Sequence, residues 1–177
     1  MLKHKTILTP RTLYELVKDL KREGKRIGIT HGAFDLFHYA HLDLLKKSAS
    51  ICDFLIVGVD SDKSIAAYKT YKRPIINQRF RLRIVNELDC VDAVFVKDIT
   101  LNREAHVKLY KDLMVDIVTI GTRFEEKFRQ IIKQETDEVG AKLIDIDTEQ
   151  DISTTSIIDS IIEKYNESTF QYVPREQ

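Results

Sequence analysis

Two histidines three positions apart, His38 and His41, lie in the stretch HGAFDLFHYAH at residues 31–41. The stretch follows the apolar RIGIT and runs into LDLLKKSA, so the pair falls at the start of a helix. At that spacing both imidazoles share one helical face, with Cβ atoms about 5–6 Å apart. A helix start presents free N–H groups and a partial positive charge, a natural seat for a phosphate. Two imidazoles beside that seat can donate hydrogen bonds to a polyphosphate. Gly32 and Ala33, just ahead, carry little side chain and let a ligand approach the backbone closely. The same pair has two other readings. Paired histidines can hold zinc, though no third ligand is evident beyond Asp35 being close in sequence, or they can be structural histidines with satisfied hydrogen bonds. The small-residue turn at a helix start favours phosphate, and no metal ligand set is assigned.

Short apolar runs rich in Val and Ile must position this stretch. RIGIT (26–30), DFLIVGV (53–59), DAVFV (92–96), DIVTIG (116–121) and AKLIDI (141–146) lack polar alternation, as strands buried on both faces do. Between and after them, 39–51, 77–89, 101–113, 124–138 and 153–165 show helical spacing. A further amphipathic helix is expected after Pro10, stopping at Gly24 as a C-cap residue. Strands alternating with helices predict an α/β fold, a single doubly wound Rossmann-like domain with a five-stranded parallel sheet. The expected organisation is a helical extension over 1–24, the domain over 25–165 and a polar tail over 166–177. Ligands of such sheets bind at the carboxyl ends of the strands, where strand order reverses. The histidine stretch, GTRFEEKF after strand four and TEQDISTTS after strand five are all expected on that edge.

A chain of 177 residues supports one well-covered core. Its 28 basic and 28 acidic residues balance, which argues against a general nucleic-acid binder. MLKHKTILTPRTLYEL is too mixed for a signal peptide, and FLIVGV is too short to span a bilayer. Cys52 and Cys90 stand alone and read as free thiols of a cytoplasmic protein.

GAFDLFHYAHLDLLKKS resembles the GxFDxxHxGH signature of the HxGH nucleotidyltransferase superfamily, in particular its cytidylyltransferase-like members. VGVDSDKSIAAYKTYKRPI resembles their segment after strand two, which carries a phosphate-binding lysine. NQRFRLRIVNELDCVDAV resembles the segment whose arginine precedes a Val-Asp pair, and ISTTSII the closing GxSTT element. Four motifs in the family order make the match specific. It implies that His38 and His41 contact the nucleotide phosphates, with Lys69 the mobile-loop lysine, Lys72 its substitute, and Arg81 the family arginine. It places Gly32, Ala33, Phe34, Gly121, Arg123, Ser153, Thr154 and Thr155 around the nucleotide. Ser153 and Thr154 also suit a helix N-cap. Asp35 is expected either to hold the acceptor or to orient its loop.

The implied reaction joins a nucleoside monophosphate unit to a phosphate- or phosphonate-bearing acceptor and releases pyrophosphate. The acceptor oxygen is already ionised, so alignment and charge neutralisation suffice. Mg²⁺ is expected on the triphosphate, and a homodimer follows from the family likeness. Three departures bear on the base: Ala40 stands where the family has Gly, Arg123 replaces an acidic residue, and TEQD (148–151) replaces an Arg-Thr-x-Gly run. SIAAYKTYKRPI leans toward cytidylyltransferases. EGKRIGITHGAFDLFHYAH and VGVDSDKS lean toward the adenylyltransferase that makes ADP-heptose. Sequence alone therefore narrowly favours CMP transfer from CTP. Adenylyl transfer to a sugar phosphate such as a heptose phosphate is the alternative, and a nucleotide-binding module without turnover a third.

Overall fold

The computed structural model describes residues 9–100, 102–122, 125–149 and 151–166. Five strands, β1 (Ile27–Gly32), β2 (Phe54–Asp60), β3 (Ala93–Lys97), β4 (Ile117–Gly121) and β5 (Lys142–Ile146), form one sheet in the order β3-β2-β1-β4-β5. All four pairings are parallel. The expected parallel α/β sheet is therefore the fold found. Its switch point lies between β1 and β4, because the chain leaves β1 outward through β2 and β3 and returns to the other side.

Seven helices surround the sheet among the described residues: α1 (Pro10–Arg22), α2 (Tyr39–Ala49), α3 (Asp62–Tyr68), α4 (Gln78–Asn86), α5 (Arg103–Asp112), α6 (Glu126–Val139) and α7 (Thr154–Asn166). Six match helices expected from periodicity, within about three residues at each end. The seventh, α3, carries too little apolar pattern to be read. None is long and apolar enough to cross a membrane.

Alternate side chains divide the core by face. Ile27, Ile29, Ile56 and Val118 point to the side covered by α1, α5 and α6, where they meet Leu13, Val17, Tyr110 and Ile132. Leu55, Val57, Val59 and Val94 point to the other side, against Leu45 of α2 and Leu82 and Val85 of α4. Leu13 and Val17 are fully buried, so α1 contributes to the same core as the sheet. Burying such a side chain contributes about 1.5–3 kcal/mol. Gly24, after α1, lies at φ 75°, the left-handed conformation that makes glycine the natural helix stop.

The far end of α2 is fixed as tightly as its site end. Ser48, fully buried, shares a 2.7 Å hydrogen bond with the Thr119 hydroxyl of β4. Beyond it Cys52 rests on Gly28, where an added Cβ would fall 2.6 Å from the Cys52 sulfur. The helix carrying the histidine pair is therefore registered against both strands that flank the switch point.

Candidate active site at the carboxyl edge of the sheet

The loop from β1 into α2 is held by its neighbours on all sides. Phe34 and Leu36 sit at φ 49° and 46°, a region that costs a non-glycine residue about 1–3 kcal/mol. That cost persists only where the surroundings determine the backbone, and here they do. Phe34 is buried in the α2–α4 core. Arg81 Nη1 donates to the Ala33 carbonyl, and the Thr154 hydroxyl donates to the Asp35 carbonyl at 2.9 Å.

Asp35 itself points inward. Its carboxylate, wholly buried, accepts Arg73 Nε at 2.9 Å and the amides of Ile75 and Ile76 at 2.9–3.1 Å. Burial pushes this carboxyl up, but those amides and the guanidinium outweigh it and hold it below the ordinary carboxylate range. Of the two roles expected for Asp35, the geometry carries loop orientation. Its oxygens accept from segment 73–76.

His38 forms the N-cap of α2 with extended backbone, and His41 follows in the first turn. Their rings stack with centroids 3.8 Å apart and planes 26° apart. Phe34 and Phe37 each lie 5.5 Å from the His41 ring. The His38 amide donates to His41 Nδ1 at 3.4 Å, which leaves the proton of a neutral imidazole on Nε2. Burial first, then His38 and Lys69, push the His41 pKa down to about 3, with Asp35 opposing. His41 is therefore a neutral N–H donor across the physiological range. Such a group can donate a hydrogen bond to an anionic oxygen without exchanging protons.

Lys69 caps α3 and stands near enough to depress His41. Much of its side chain is exposed, yet its ammonium is crowded. Desolvation and then Arg73 lower its pKa, while Asp35 and Asp60 pull the other way. Lys72 turns outward instead, 5.9 Å from the centroid of the exposed Tyr71 ring. Of the two lysines expected, Lys69 is the one whose charge acts on His41.

Arg81 lies as deep as Asp35. Expected beside the phosphates, it has no solvent exposure, and its guanidinium binds protein on every side. Nε donates to the Ile76 carbonyl at 2.8 Å, and Nη2 donates to the Asp60 carbonyl at 2.8 Å and to Asp62 at 2.7 Å. With Ala33 it ties together the loops that follow β1 and β2.

Ser153 and Ser156 cap α7 reciprocally: the Ser156 amide donates to Ser153 Oγ at 3.0 Å and the Ser153 amide to Ser156 Oγ at 2.9 Å. Thr154 is buried, while Thr155 is exposed on the first turn. Gly121 ends β4, and an added Cβ there would make ordinary contact with Thr148. Gly32 likewise has room toward Phe34, so close protein packing does not demand either glycine. Ala40 is buried beneath the α2 turn. Arg123 lies outside the described residues. A cavity of about 310 Å³ lies between α1 and α5, and none of its lining residues belongs to these loops.

One cluster escaped sequence reasoning altogether. At the carboxyl ends of β2 and β3, Lys97 Nζ sits 3.0 Å from Asp60 Oδ1, both side chains at most 6% exposed. The Tyr68 hydroxyl donates to Asp60 Oδ2 at 2.9 Å. Lys97 also reaches His106 Nε2 at 3.2 Å, whose Nδ1 meets the buried Glu135 at 3.1 Å. Nearby, His31 Nε2 shares a 3.0 Å hydrogen bond with Tyr110. Burial, Lys97 and His106 hold His31 well below the ordinary imidazole range. The available signal was an ionisable residue at or next to the end of three successive buried strands: His31, Asp60 and Lys97.

Two stacked imidazoles at a helix N-terminus on the switch-point edge of a parallel sheet suit a nucleotidyltransferase. The chain belongs to the cytidylyltransferase-like family, which it matches over residues 29–160. It is 35% identical over 150 residues to the bifunctional protein HldE of Desulfatibacillum aliphaticivorans, covering 84% of this chain and 29% of that protein. It is 33% identical over 155 residues to the bifunctional protein HldE of Helicobacter pylori strain J99, covering 88% and 32%. The chain thus spans about a third of the length of these relatives. Among solved structures it resembles the lipopolysaccharide core biosynthesis protein from Thermoplasma volcanium GSS1. That match has TM-score 0.57 and 26% identity, over 72% of this chain and all of that one. It shares its fold with the pantoate-beta-alanine ligase of Francisella tularensis, at TM-score 0.63 and 15% identity over 96% of this chain and 82% of that one.

Proposed function

We propose that this nucleotidyltransferase transfers AMP from ATP to a sugar phosphate, a heptose phosphate being the first candidate. The acceptor phosphate oxygen attacks the α-phosphorus, the bond from that phosphorus to the bridging oxygen of the β-phosphate breaks, and pyrophosphate leaves. His41 donates its Nε2 proton as a hydrogen bond to the triphosphate, stacked against His38. Lys69 supplies positive charge to the departing pyrophosphate. The α7 start, through Ser153 and Thr155, offers further donors. Arg81 acts through the Ala33 carbonyl as a positioning residue. Mg²⁺ arrives on the triphosphate as part of the substrate; among the described residues no cluster of three or more His, Cys, Asp or Glu side chains holds a metal.

The observation that carries the transfer reading is the His38–His41 stack at the start of α2. The choice of ATP rests on the resemblance of residues 23–41 and 57–64 to the heptose enzyme. The HldE relatives and the lipopolysaccharide-core structure support it. The CTP reading, which the motifs alone narrowly favoured, retains the support of SIAAYKTYKRPI.

A panel of the four nucleoside triphosphates with Mg²⁺ against heptose phosphates, glycerol phosphate and phosphonates tests this by pyrophosphate release. Release with ATP and a heptose phosphate is expected. Release with CTP and glycerol phosphate would replace the reading with the cytidylyl one, and no release in any combination would leave a binding module.

A further inference from the structure

We propose that Tyr68 and the buried pair Asp60 and Lys97 form a brace that fixes the end of α3 and so sets where Lys69 stands. This makes Tyr68 and Asp60 positioning residues for the transfer, an inference that rests on the reading that Lys69 grips the triphosphate.

The geometry of α3 carries the argument. A helix of seven residues is marginal by itself, and its fold partners are few: only Ser64 and Ile65 are buried along it. Its N-terminal end is well held. Arg81 grips the Asp60 carbonyl and the Asp62 carboxylate, and Asp62 also accepts the Gln78 amide at 2.8 Å and the Asn77 side-chain amide at 2.8 Å. The other end, from which Lys69 departs, has one side-chain tether to the sheet edge. The Tyr68 hydroxyl reaches back across the whole helix to Asp60, the last residue of β2. Since 37% of Tyr68 is exposed, the residue serves as a strut more than as core packing.

Lys97, the last residue of β3, completes the brace by holding the other Asp60 oxygen at 3.0 Å. A buried ion pair gains little net stability, because the desolvation of both charges offsets their attraction. What this pair does secure is the direction of the Asp60 carboxylate, one oxygen toward Lys97 and one toward Tyr68. Burial and Asp60 both raise the tyrosine pKa, so its hydroxyl stays a donor and the strut stays closed. Displacing a catalytic group by ~1 Å can cost on the order of 10²-fold in rate, so a tether one residue from Lys69 has a direct effect on turnover.

A double-mutant cycle between Tyr68 and Lys69 on the full chain tests the brace. Tyr68→Phe removes only the hydroxyl and is expected to lower kcat about ten-fold, with KM for the triphosphate within about two-fold. In a Lys69→Ala background the same change is expected to have no further effect, because the positioned group is gone. Losses that multiply, or parental kcat in the Tyr68→Phe variant, would overturn the proposal. A second readout needs no turnover: nuclear magnetic resonance of ¹³C-labelled lysines follows the Lys69 ammonium directly. Its titration is expected to move toward that of a free lysine in Tyr68→Phe, and an unchanged titration overturns the brace. A moved Lys69 signal in a chain that releases no pyrophosphate leaves the brace standing and removes the transfer reading.

Discussion

His38 and His41 stack at 3.8 Å between ring centroids while the His38 backbone amide donates to Nδ1 of His41. The pair is thus one unit, with His41 oriented by its neighbour and the proton of its neutral ring left on Nε2. Removing one preorganised donor of this type costs about 10²–10³ in kcat. His41→Ala is expected to show that loss in a pyrophosphate assay, with its thermal unfolding transition still cooperative. Parental turnover in this variant would remove His41 from the reaction.

The burial of His41 also sets a pH signature. Its folded pKa, about 3, lies far below the ordinary imidazole value near 6.5. Between those values the unfolded chain binds the proton and the folded chain does not, so stability rises with pH through that window and is complete above it. His31, also held low, acts in the same direction. Stability measured by urea titration is expected to fall from pH 6.5 to pH 4, and to fall less steeply in His41→Ala. The kcat of the parent is expected to show no step near pH 6.5, since His41 does not titrate there.

Arg81 holds four acceptors from three separate segments while wholly buried. Truncation would leave those four acceptors, the loop carbonyls of Ala33 and Asp60 among them, without their donor. Breaking a buried charged network in this way costs about 3–5 kcal/mol. Arg81→Ala is expected to lose about that much in chemical denaturation. Arg81→Lys should recover little of it, because one ammonium cannot reproduce the guanidinium fork. A stable Arg81→Ala that has lost only activity would instead return Arg81 to the phosphates.

The alternation of Val- and Ile-rich runs with amphipathic ones made the sheet and six helices legible, because burial on both faces leaves an unmistakable pattern. The histidine pair was equally legible, since its chemistry is local to one helix start. What was hidden depends on partners distant in sequence. Arg81 reads as a surface cation until segments 33, 60–62 and 76 close around it. Asp35 reads as either an acceptor ligand or a loop-orienting residue until the Ile75 and Ile76 amides arrive from some 40 residues away. The seven residues of α3 bury too few side chains to show a period at all.

Asp35 offers the sharpest separation of a structural from a chemical role. Its two oxygens take three donors, so an amide replacing the carboxylate would turn two hydrogens toward Arg73 and the backbone N–H groups. Leaving such donors unsatisfied costs about 1–3 kcal/mol. Because its folded pKa is depressed, Asp35 stabilises the protein above the ordinary carboxylate value, and that contribution is lost as pH falls through the folded one. Asp35→Asn is therefore expected to unfold at lower urea near neutral pH, with the difference from the parent narrowing in strong acid. Released from Asp35, segment 73–76 should loosen and carry Lys69 with it, lowering kcat. Limited proteolysis is expected to cut near Tyr71 faster than in the parent. An Asp35→Asn variant with parental stability and a raised KM for the acceptor alone would show that the carboxylate binds substrate after all.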